Sequence, residues 1–175
     1  MRFVFAFLLL LPAAALAAPA EFDPARVDVT QGAFCEVPSV ESRDAPDTAA
    51  GKIDLYASTP EFMWLTARVP AVHGITFGVR TRILDGRILN GAVVTLTHPP
   101  FKGTGVTRQS YLTSIGGGGV SINAYTFDLP EELVTGTWRF EVSHQGRTVY
   151  TAAFEVVPAR AMPEIAGACG GLPLS

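Results

Sequence analysis

The 175-residue chain carries thirteen basic and sixteen acidic side chains, a net charge of −3, with no basic run. That balance excludes the electrostatic footprint of a protein that binds nucleic acid or an anionic lipid surface. Two cysteines and three histidines, with no His-x-His, His-x-x-x-His or Cys-x-x-Cys spacing, give no metal motif.

In chain order, the first predicted element is a secretion signal over residues 1–17. It has an early arginine, an apolar run and the small-residue ending Ala15-Leu16-Ala17, the marks of a cleavable leader rather than a membrane anchor. No cysteine follows the cleavage region directly, which disfavours a lipoprotein attachment. Removing seventeen of 175 residues leaves 158, and losing Arg2 leaves twelve basic against sixteen acidic residues, a net of minus four. Such a length suits one domain with its own core. A periplasmic or extracellular destination follows, with no transmembrane segment expected after the signal.

The first strand is predicted where Val27, Val29, Gln31 and Ala33 alternate with Asp28, Thr30 and Gly32, and Cys35 continues the inward set. Residues 37–51, VPSVESRDAPDTAAG, mix proline, charge and small side chains and read as a long, flexible surface loop. Short strands are expected over 52–58 and, rich in aromatics, over 62–69. Residues 75–83 place Ile75, Phe77, Val79 and Ile83 on a dry face and Thr76, Gly78, Arg80 and Arg82 on a wet one. After turns at Asp85-Gly86 and Asn90-Gly91, Val94 and Leu96 carry the apolar face of a strand that Pro99-Pro100 stops.

Residues 106–115, VTRQSYLTSI, are polar on both faces and suit a sheet edge. Gly116 to Gly119 separate them from a further strand, VSINAYTFDL. This glycine run lacks the following helix and the lysine of a phosphate loop and reads as a flexible connection. LPEELVTG makes a corner of about one helical turn, holding the adjacent Glu131 and Glu132. The last pair is a hairpin: Trp138, Phe140 and Val142 share one face, Tyr150, Ala152, Phe154 and Val156 answer them, and His144 sits at the tip. About nine strands at roughly ten-residue spacing predict a single-domain, immunoglobulin-like antiparallel β-sandwich over 18–158. A surface tail follows over 159–175.

The successive segments VPAVHGITFGVR, NGAVVTLTHPP, YTFDLPEELVTGTWRFEV and QGRTVYTAAFEV are similar to the bacterial secreted proteins grouped as domain of unknown function 3859. The resemblance runs from about Thr66 to Val157, and it implies an envelope or secreted β-sandwich. It brings no catalytic residue.

Of the histidines, His144 reads as an exposed turn residue and His73 as a loop residue entering a strand. His98 has the inward parity of Val94 and Leu96 and is expected to line a rim pocket with Phe101 and Lys102, a candidate binding loop. No nucleophile motif accompanies it, so no catalytic, cofactor-binding or metal-binding residue is assigned. A copper site at the mature amino terminus lacks its histidine, since the expected start is Ala18-Pro19-Ala20. Cys35 and Cys169, an even pair in an oxidising compartment, are expected to form a disulfide that pins the tail.

These readings favour a non-catalytic envelope module, binding or structural, whose partner is another envelope protein, a saccharide or a small ligand met by loops at one end. Two alternatives stay open. One is an envelope-polymer hydrolase joining His98 to a carboxylate such as Asp128, and the other a pilus-like subunit or periplasmic chaperone.

Overall fold

A computed structural model describes residues 20–169. The secretion signal read over 1–17 and the last residues of the tail lie outside the described residues. The larger sheet is ordered β1 (Glu21–Phe22), β11 (Arg147–Val157), β10 (Gly136–His144), β7 (Ile88–Thr97), β8 (Arg108–Gly116), and β5 (Arg68–Pro70) runs parallel to the end of β11. The smaller sheet is ordered β2 (Val27–Cys35), β6 (Ile75–Ile83), β9 (Ser121–Thr126). A separate hairpin pairs β3 (Glu41–Asp44) with β4 (Lys52–Leu55). The two large sheets make the antiparallel β-sandwich that the alternating sequence requires.

Their inner faces meet around Phe77 of β6. Its ring centre lies 5.1 Å from Phe154, 5.2 Å from Phe127 and 5.5 Å from Trp138, in tilted and edge-on contacts that aromatic quadrupoles favour. Trp138, Phe140 and Val142 are buried as their parity demands, and the Trp138 indole N–H donates to the Val134 carbonyl at 3.2 Å. The β10–β11 hairpin turns through Gln145 and Gly146, both at positive φ, after a register shift between Val142 and Ser143. β8 closes its sheet as an edge, in agreement with its polar sequence.

Several elements differ from the sequence reading. Residues 37–51 are not one loop, because Glu41–Asp44 pairs in register with Lys52–Leu55. All four residues of β3 are exposed, so no apolar alternation marks them. The predicted strand over 62–69 shrinks to Arg68–Pro70 plus one bridge between Trp64 and Ala33. The chain before it instead crosses the outside of β2 and β6. There the Phe62 ring occupies the space above Gly32 that a Cβ would need, and Glu61 pairs with Arg80. The face of β6 read as wet is therefore covered in part, with Thr76 fully buried and Arg82 exposed. The very short β1 and the exposed β3 are the two strands beyond the expected nine.

Cys35 and Cys169 are disulfide-bonded, Cα to Cα 5.0 Å across 134 residues of sequence. The tail before Cys169 is largely exposed and is not a strand. It forms a helical turn, α1 (Pro163–Ala168), that buries Ile165 against the core.

Candidate ligand cleft

His98 follows β7 directly and does not line a rim pocket. It is only 6% exposed, and its ring stacks on Phe101 at 4.0 Å and on Trp138 at 4.5 Å. Phe101 is likewise core, while Lys102 is exposed. The inward parity of His98 was right, and the depth of the packing beyond the strand end was not visible from sequence. His144 bonds through Nε2 to the Asn90 carbonyl at an exposed site, and His73 is exposed in the loop before β6.

The hydrogen bonds of His98 fix its chemical state. The Ala49 amide donates to Gln109 Oε1 at 2.8 Å, so Gln109 Nε2 must be the group 3.1 Å from His98 Nε2. An amide nitrogen donates, so His98 Nε2 accepts and the proton sits on Nδ1, which donates to the Pro99 carbonyl at 2.9 Å. His98 is thus a neutral imidazole, and burial holds its pKa below the ordinary histidine value, against weaker opposing effects of the Pro99 bond and Glu132. Both ring nitrogens are occupied.

The open space of the molecule lies elsewhere, in a cleft of about 420 Å³ between the facing edges of β8 and β9. Gln109, Tyr111 and Thr113 of β8 share the inward parity and form one wall, and β9 forms the other. Leu96 and Phe140 make the floor, and the β3–β4 hairpin with Tyr56 and Thr59 makes the roof. Asp128 and Glu132 stand at the corner. Of the predicted loops, 37–51 contributes Thr48 and Ala50, but no residue of 99–105 or of the glycine run 116–119 lines the cleft.

Few bonds hold the roof. Besides the Ala49–Gln109 bond, the Ser110 amide donates to the Asp47 carbonyl at 3.1 Å and the Thr59 hydroxyl to the Val120 carbonyl at 2.7 Å. Tyr56 makes an edge contact with Phe34 at 6.2 Å. Beneath the wall, the Tyr111 hydroxyl donates to Asn123 Oδ1 at 3.3 Å, and the Asn123 amide donates to the Tyr150 oxygen at 2.9 Å. This chain carries polar contacts from the cleft into the core.

The cleft is acidic. Lys52 pairs with Asp54 at 2.9 Å, leaving Asp128 and Glu132 without a lysine or arginine among the lining residues. Burial first, then the Glu36, Glu132 and Asp54 carboxylates, raise the Asp128 pKa, with His73 opposing. Glu132 Oε2 accepts the backbone amides of Asp128 at 2.9 Å and Leu129 at 3.1 Å, so this carboxylate holds the corner. Burial and the Glu132 carboxylate push the Tyr125 phenol up, and burial does the same to Tyr56.

Among the described residues, no cluster of three or more His, Cys, Asp or Glu is placed to hold a metal ion, and no helix is long and apolar enough to cross a membrane. The disulfide fits an extracytoplasmic location.

No curated protein matches the chain. Among solved structures, an immunoglobulin-like protein from Pseudomonas aeruginosa is similar, with a TM-score of 0.50 and 19% identity over 80% of this chain and 98% of that one. At that identity the likeness speaks for the fold alone. The sequence profile of the family described as Domain of unknown function (DUF3859) matches residues 23–156, most of the chain, and the chain belongs to that family.

Proposed function

We propose that this protein is a non-catalytic binding module of the cell envelope, periplasmic or secreted, that takes a neutral saccharide in the cleft between β8 and β9. The cleft lining carries the proposal. Tyr56, Tyr111 and Tyr125 offer ring faces for the C–H surface of a sugar, and Thr113, Ser121 and Asp128 offer donors and acceptors for its hydroxyls. The volume lies within the usual range of about 300 to 1,000 Å³ for small-molecule sites. Acidic polymers are disfavoured by the carboxylates, because like charges brought together across an interface cost binding energy.

The catalytic alternative has less support. Both nitrogens of His98 are engaged, His98 does not line the cleft that Asp128 lines, and Glu132 is occupied with backbone amides. A chaperone groove awaiting a donor strand is expected to be apolar, whereas this one carries Gln109 and Thr113 on one wall and Ser121, Asn123 and Thr126 on the other.

Titrating the protein with neutral hexose oligomers, N-acetylated amino-sugar oligomers and a uronic-acid polymer tests the reading. Saturable binding of a neutral oligomer, weakened about tenfold or more by Tyr56→Ala and by Asp128→Asn, is expected. Preference for the acidic polymer, indifference to both substitutions, or cleavage of the oligomer during the titration would overturn it.

A further inference from the structure

We propose that His98 and Gln109 form a proton-sensitive latch for the roof of the cleft, so that acidification lifts the β3–β4 hairpin. The inference rests on the cleft being the ligand site, and it concerns how that site is opened. The latch is the relay already described: the Ala49 amide on Gln109 Oε1, Gln109 Nε2 on His98 Nε2, and His98 Nδ1 on the Pro99 carbonyl. Each of these three bonds pairs a donor with an acceptor, and only one arrangement of protons along the relay allows that.

Adding a proton to His98 turns Nε2 into a donor facing the Gln109 amide group. Rotating that amide supplies an acceptor to His98, but it turns NH₂ toward the Ala49 N–H. The conflict is moved to the roof. Gln109 is only 5% exposed, so a buried donor facing a donor is costly while the roof is down. With the roof raised, water takes the Ala49 amide and the rotated Gln109 accepts freely from protonated His98. The open form therefore binds the proton more tightly, and proton binding shifts the population toward it.

The surroundings permit this titration. The ionisable neighbours are Glu132 in the corner, whose charge favours the imidazolium, and Tyr125 on β9, a phenol held neutral by burial. β8 presents Gln109, β10 presents Trp138 and the 99–107 loop presents Phe101, none of which titrates. Desolvation depresses the pKa of His98, so the closed form resists protonation and the linkage acts below the ordinary histidine value. The remaining roof bonds, Ser110 to Asp47 and Thr59 to Val120, contain no titratable group.

Residue-resolved hydrogen exchange of the ligand-free protein at about pH 7.5 and about pH 5, corrected for intrinsic rates, tests the latch across the histidine range. The protection of the Ala49 and Ser110 amides is expected to fall about tenfold or more on acidification, while β10 and β11 keep theirs. His98→Phe, which keeps an aromatic ring beside Phe101 and Trp138, should make roof protection independent of pH. Gln109→Met should leave the roof unprotected at both pH values, and it serves equally if His98→Phe fails to fold. Unchanged protection of the wild-type roof, parallel loss in β10 and β11, or a pH response that survives either substitution would overturn the proposal. No ligand enters the experiment, so its failure is separate from a failure of saccharide binding.

Discussion

Along the flank where β2 meets β11, the two sheets are joined directly: the Gln31 side chain donates to the Ala153 carbonyl at 2.8 Å, and β1 extends the larger sheet along β11. Along the flank where β8 faces β9, the inward residues are Gln109, Tyr111 and Thr113, and a hairpin belonging to neither sheet bridges the gap. The first flank continues the core toward the disulfide and α1, whereas the second gives up apolar burial for a polar cleft under a lightly held cover. The apolar core of a sandwich lies between the inward faces of its two sheets. The polar flank is thus a place where the fold can carry a site at small cost to the core.

The most severe way to break this comparison is at the centre, which both flanks share. Trp138→Ala removes a fully buried indole packed among Phe77, Tyr125 and Phe127 and should cost about 3 to 5 kcal/mol. A lowered denaturant midpoint would show it. Opening the disulfide tests the joined flank: Cys35→Ser with Cys169→Ser should cost about 2 to 4 kcal/mol, below the chain-entropy limit because Ile165 still docks the tail. The readout is the melting temperature together with proteolysis of α1. A loss confined to tail proteolysis would make α1 an appendage.

Alkali probes the polar thread between the flanks. Burial pushes the Tyr150 phenol up to about 12, and Tyr111 is pushed up as well. Both pKa values are raised, so the unfolded chain loses these protons first. Their stabilisation is intact below the ordinary phenol value of about 10 and is lost as pH rises from there through the folded-state values. Unfolding midpoints measured across that window, alongside tyrosinate absorbance, should fall together. The smallest effect belongs to the hairpin tip: His144→Ala loses one exposed bond to the Asn90 carbonyl and should shift stability by no more than about 0.5 kcal/mol.

Much of the core was legible because alternation is strong wherever one strand face is dry. Val94 and Leu96, then Trp138, Phe140 and Val142, and then Tyr150, Ala152, Phe154 and Val156 all land inside as their parity requires. β3 was not legible, because a strand with all four residues exposed has no apolar face to display. The cover over β6 was missed since long-range packing of Phe62 on Gly32 leaves no local pattern. His98 was read with the correct orientation and the wrong depth, its burial coming from Phe101 and Trp138, which are separated in sequence. The cleft left one local trace. β8 is polar even on its inward face, which edge position alone does not require, and that polarity marks the wall of the site.

The central claim is that the β8–β9 flank is a working surface while the β2–β11 flank is structural. Residue-resolved NMR shifts recorded during titration with a binding neutral oligosaccharide test it most directly. The account predicts saturable changes at Tyr56, Tyr111, Thr113, Ser121 and Asp128, with β1, β2 and α1 unmoved; changes centred on the 99–105 loop or on β2 and β11 would contradict it.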